Sequence, residues 1–175
     1  MRLKNTVLNN LVWNGFMSDL IEQIAKARGI ANDYVDASGN KVFISRENKI
    51  ECLKAMGYSV DNEQELAKQY ASQQEAYYKA GCDPVVVTFE NSQLEVFFRL
   101  TEEEVKTGSL SYTITLEDGS MSQGEFSLDI GSKSESYNVN GIDYAVYKGT
   151  TSLALPLGYH SINIKTAVGR SMKDV

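Results

Sequence analysis

The apolar residues of this chain change their period once. Up to Gly81 they recur at helical spacing, and from Pro84 onward they alternate along short runs bounded by turn residues. That single switch constrains the fold more than any local motif, because it predicts a helical part followed by a sheet part with no helices between the strands. The charge divides at the same place. Residues 1–81 hold ten basic and ten acidic groups, whereas 82–175 hold seven basic against thirteen acidic, so the whole net charge of -6 lies in the second part. The sequence therefore predicts a leading extension over 1–16, a helical subdomain over 17–81 and a sandwich domain over 82–175.

In the helical part, Met17, Ser18 and Asp19 make a start and cap for a helix carrying Leu20, Ile21, Ile24, Ala25 and Ala27 on one face, with Gly29 as its left-handed stop. A polar turn around Ser38, Gly39 and Asn40 follows. Ser45 caps a second helix with Ile50, Leu53, Ala55 and Met56, ended by Gly57. Asp61 with Gln64 reads as a capping box for a third, more polar helix through Leu66, Tyr70, Tyr77 and Tyr78 to Gly81. Residues 1–16 are expected to be poorly ordered unless Trp13 and Phe16 dock on the helices.

In the second part, seven short strands are expected, at 85–89, 94–100, 112–116, 126–130, 144–147, 152–155 and 161–166. Asp118-Gly119 and Asn140-Gly141 supply turn signals between them. Short strands at this spacing predict an antiparallel sandwich of immunoglobulin-like type, making the chain α+β by segments.

Several classes of function are excluded or disfavoured. A net charge of -6 from 17 basic and 23 acidic residues lacks the basic footprint that nucleic acid or an anionic membrane requires. No apolar run approaches the roughly 20 residues of a membrane span, and Asn9, Asn10 and Asn14 interrupt the N-terminal apolar stretch that a signal peptide would need. Cys52 and Cys82, with one histidine, fit neither a disulfide framework nor a metal site, which suggests a reduced, cytoplasmic chain.

Candidate chemistry is sparse. His160 follows Gly158 and Tyr159 at a strand start, with no nucleophile or orienting acid at useful spacing, and reads as structural or surface. Cys52 reads as a small core residue and Cys82 as part of the turn between the two parts. Glu102, Glu103 and Glu104 read as a solvated loop, because adjacent side chains diverge. The ten tyrosines and Trp13 have more reach, since exposed rings stack on sugars or anchor proteins, although burial accounts for most tyrosines in a sandwich. Tyr144, Tyr147 and Tyr159 are the candidates for sugar or interdomain contact. Tyr144 and Tyr147, three residues apart on a strand, should face opposite sides of the sheet and so make a poor joint platform. No catalytic residue, cofactor-binding residue or metal ligand is assigned.

One stretch carries a family pattern: Ala27, Arg28, Gly29 and Ile30, then Tyr34, Gly39, Ile44, Ser45, Lys49 and Leu53, then Ala55, Met56, Gly57 and Tyr58. It resembles the N-terminal region of the long bacterial 4-alpha-glucanotransferases, or amylomaltases. The segment Leu155-Pro156-Leu157-Gly158-Tyr159-His160 is similar to the turn and last strand of the sandwich that precedes their catalytic barrel. The resemblance implies a parent enzyme that transfers α-1,4-glucan segments between maltodextrins with retention, using a carboxylate pair in a barrel that alone takes about 250 residues. None of the family's catalytic residues falls on a position of this chain, and residues 1–16 have no counterpart in the pattern. The implied function is that of a noncatalytic accessory region, with the barrel of the same polypeptide as partner and maltodextrin as a further candidate ligand. The alternatives are a self-standing module binding protein or glucan and, last, a small hydrolase.

Overall fold

A computed structural model of the chain describes residues 20–134 and 136–172. The expected extension over 1–16 and the Ser18 cap lie outside the described residues. The fold divides into two compact units between Gln73 and Gln74.

In the first unit, helix α1 covers 20–27. A hairpin of β1 (Asp33–Val35) and β2 (Lys41–Phe43) follows, with Tyr34 opposite Val42, and then helix α2 (Arg46–Ala55). The Ser45 side chain accepts from Asn48 N, as expected of the cap. Helices α1 and α2 end by one device. Gly29 and Gly57 take φ of 71° and 85°, and the next residue returns its N–H five positions back: Ile30 to the Ala25 carbonyl at 2.9 Å, Tyr58 to that of Leu53 at 3.0 Å. This closure leaves an apolar side chain just past each glycine folded against the helix it ends. Tyr58 accordingly joins Leu20, Ile21, Ile24, Leu53, Val60 and Leu66 in the core, and Ile30 packs at its margin. Lys49 is buried beside them, its ammonium 2.6 Å from Glu22 Oε2 and 2.8 Å from Asn32 Oδ1. Arg28 donates to the Tyr58 hydroxyl and to Gln73 Oε1, and the Tyr58 hydroxyl also donates to Gln73.

Helix α3 (Glu63–Ala80) departs from the expected start. Its cap is Asn62, whose Oδ1 accepts from Glu65 N at 3.1 Å, and not Asp61 paired with Gln64. Both are good capping residues, and the backbone bond from Leu66 N to Asn62 O sets the register by seating Leu66 in the core.

The second unit is the expected antiparallel sandwich. Its strands are β3 (Gln93–Thr101), β4 (Leu110–Thr115), β5 (Met121–Glu125), β6 (Ser127–Asp129), β7 (Tyr137–Val139), β8 (Ile142–Ala154), β9 (Ser161–Thr166) and β10 (Ser171–Met172). One sheet runs β10-β9-β4-β5 and the other β3-β8-β6, with β7 also on β8. Val96, Phe98, Leu100, Leu110, Tyr112, Ile114, Phe126, Tyr147 and Ile164 fill the space between sheets. Asn140 and Gly141, with φ of 52° and 85°, turn β7 into β8 as two left-handed residues should.

Three expectations need correction here. The strands expected at 144–147 and 152–155 merge into one, β8, which ends at Ala154, because no turn residue breaks the ladder from Thr101↔Tyr144 to Gln93↔Ala154 and a bulge near Gln93 absorbs the irregularity. Residues 85–89 form no strand. Glu102–Glu104 open a short helix, α4 (Glu102–Thr107), where a solvated loop was expected. Thr101 and Glu104 form a reciprocal capping box around its start, and Glu104 is buried.

Candidate functional site

The sandwich unit holds its ends with charge. Glu104 accepts from Arg170 Nη1 at 3.1 and 3.0 Å, one bond to each carboxylate oxygen, and from Thr101 N at 2.8 Å. Arg170 Nη2 also reaches the carbonyls of Tyr78 at 3.0 Å and Lys79 at 3.1 Å, satisfying the last turn of α3, whose carbonyls have no helical partner. Next to it, Arg99 is buried with its guanidinium 3.9 Å from the Tyr77 ring centroid and Nη1 2.7 Å from Asp83 Oδ1. Tyr78 stacks on Tyr137 at 4.7 Å and lies 5.9 Å from Tyr144. These groups serve structure. The glutamate run is thus a helix start with one buried ion pair, and among the described residues no three metal-ligating side chains converge.

The candidate tyrosines separate. Tyr144 and Tyr147 are 7% and 3% exposed, so neither lies at the surface where a sugar could reach it. They do occupy opposite faces: Tyr147 joins the core between sheets, while Tyr144 packs outside it against Tyr78. Tyr159, at 91% exposure, is the one of the three that faces solvent.

Tyr159 stands on the wall of a cleft of about 340 Å³, between the irregular segment 84–90 and the turn 155–160, floored by Leu94, Ile114 and Ile162. Val85, Val87 and Phe89 rise from the first wall at 73, 89 and 87% exposure, and Leu157 from the second at 81%. The turn is held from below. Glu117 Oε2 accepts from Tyr159 N at 3.1 Å, Glu117 N donates to His160 Nδ1 at 3.2 Å, and His160 Nε2 donates to the Pro156 carbonyl at 2.9 Å. The backbone donor on one ring nitrogen and the carbonyl on the other assign the Nε2–H tautomer. Gly158 completes the turn at φ +144°, where a Cβ would lie 2.4 Å from Glu117 Oε2. His160 is therefore a structural brace. The sequence marks Tyr159 but not its apolar neighbours, because residues 85–89 read as a strand and nothing in that pattern tells an exposed strand face from a buried one.

A family model, the MalQ N-terminal beta sandwich domain, matches residues 82–173. The chain belongs to this MalQ sandwich family. Among characterised proteins, the MalQ-type chain is similar to the 4-alpha-glucanotransferases of Mycobacterium bovis and Mycobacterium tuberculosis, each 23% identical over 144 residues, covering 82% of this chain and 19% of theirs. Its fold is similar to that of the amylomaltase from Corynebacterium glutamicum, with a TM-score of 0.59 and 23% identity over 87% of this chain and 21% of that one. The MalQ-type chain spans about a fifth of the length of the relatives it matches. Among its described residues, no helix is long and apolar enough to cross a membrane.

Proposed function

We propose that this chain is the noncatalytic N-terminal accessory region of a 4-alpha-glucanotransferase, packing on and orienting a catalytic barrel that moves α-1,4-glucan segments between maltodextrins. The observation that carries the reading is the sandwich match over 82–173 in a chain similar to a fifth of two 4-alpha-glucanotransferases. The chemistry of the described residues supports an accessory role. Glu104, Glu117 and His160 spend hydrogen bonds on Arg170, on Tyr159 and on the turn at Pro156. Retaining glucan transfer needs a free carboxylate nucleophile and a second carboxylic acid about 5 Å from it.

The test is to express the complete reading frame that contains this chain, the same frame without residues 1–175, and the 175-residue chain alone, and to follow glucose release and chain redistribution from maltotriose. The full product is expected to disproportionate maltotriose, the shortened one to do so with altered KM or shorter life, and the 175-residue chain to be inert. Turnover by the chain alone, or a full frame without transfer activity, would overturn the reading.

A further inference from the structure

Val85, Val87, Phe89, Leu157 and Tyr159 line one cleft and leave most of their surface to solvent. Five large side chains this exposed around one cleft make the kind of contiguous patch that marks an interaction site on a soluble protein. Residues 85–89 alternate as a strand does, with Val85, Val87 and Phe89 outward, yet they pair with no strand among the described residues. An extended segment with an open edge and an apolar row invites a covering chain. The opposite wall is fixed in advance, since Glu117 Oε2 accepts from Tyr159 N and His160 joins Glu117 N to the Pro156 carbonyl, so little ordering is left to lose when the face is covered.

We propose that this face is the docking surface for the remaining polypeptide of a longer enzyme, which meets it with an apolar patch of its own. The proposal rests on the glucanotransferase reading and names the surface through which that accessory role is exerted. The occupant follows from proportion: the matched relatives carry about four fifths of their length outside the part this chain covers, and a tethered segment meets a neighbouring face at high effective concentration. A sugar fits the face poorly. Its lining is mainly apolar, with Thr88, Glu90, His160 and the Tyr159 hydroxyl as the polar side-chain groups and the imidazole already held by internal partners, which leaves few groups for glucan hydroxyls.

Hydrogen–deuterium exchange of the 175-residue chain and of the full reading-frame product tests it, with Val87→Asp and Leu157→Asp made in both. Both positions are exposed, and circular dichroism of the short variants checks that they fold. Peptides covering 84–90 and 155–160 should exchange about tenfold more slowly in the full product, and the paired substitutions should restore the fast rate. Equal exchange in an active full-length transferase would overturn the docking face alone. Slowed exchange in a full product lacking transfer activity would support the face while the glucanotransferase reading fails. Protection of the short chain by maltoheptaose, or a short-chain dimer in sedimentation that Val87→Asp disperses, would overturn the proposal in favour of glucan or of a second copy.

Discussion

Arg170 and Glu104 meet across 66 positions of sequence, with the guanidinium Nη1 within 3.1 Å of both carboxylate oxygens and the carboxylate buried. The same arginine holds the end of α3 through the Tyr78 and Lys79 carbonyls. Arg170→Ala leaves a buried carboxylate without its cation and should cost about 3 kcal/mol, whereas Glu104→Gln keeps hydrogen-bonding capacity beside Thr101 and should cost less. Urea denaturation of the single and double variants is expected to show the double losing less than the sum.

The two thiols should differ in reactivity. Cys52, expected in the core, is exposed on α2, while Cys82 is buried and its pKa is pushed up, chiefly by loss of solvent. A thiol-reactive dye is expected to label one cysteine at once and the second only on unfolding. Because the folded-state value of Cys82 lies above the ordinary 9.0, the unfolded chain releases that proton first as the solution becomes alkaline. Stability should therefore be complete below about pH 9 and decline above it, and Cys82→Ala should flatten that decline in denaturation midpoints.

Two turn aspartates set an acid limit. Asp36 is held below the ordinary carboxylate value, chiefly by the backbone N–H of Asn40, and Asp118 by the hydroxyl and then the N–H of Ser120. Depressed values stabilise the fold above the ordinary 3.8, and the contribution disappears as pH falls through the lower folded-state values. Carboxyl-detected NMR is expected to place both midpoints below that of a reference aspartate, with amide protection at Asn40 and Ser120 lost in step.

Gly149 in β8 faces Phe98 so closely that a Cβ would lie 2.6 Å from the ring. Gly149→Ala must displace a fully buried phenylalanine and should cost about 1–3 kcal/mol, read as a lower thermal midpoint. Gly119→Ala, with open space around its Cβ but φ of +82°, reports backbone strain without crowding and serves as the contrast.

Much of this architecture was legible in the sequence where a residue type has one physical use. Gly29, Gly57 and Gly81 end helices as expected, Ser45 caps one, and Asn140-Gly141 turns a hairpin. Helix α4 carried its own signal, Thr101 three residues before Glu104, which was obscured by reading three glutamates as a charge run. The burial of Tyr144 was hidden for a different reason. Consecutive residues Tyr144 and Ala145 are both buried because β8 is covered on each side, by the core and by the tyrosines around Tyr78, and strand alternation cannot reveal a second covering layer. The exposure of 85–89 was hidden in a related way: alternation shows which side chains share a face, not whether that face is covered or the segment pairs.

The last turn of α3 has a consequence for inheritance. The recognisable sandwich signature begins at residue 82, yet Tyr77 stacks on Arg99, and Arg170 binds the carbonyls of Tyr78 and Lys79. A module exchanged between enzymes at residue 82 would arrive with two arginines facing partners left behind in the donor. Recombination that preserves this domain must cut upstream of Tyr77, so the heritable piece is longer by a helical turn than the family signature.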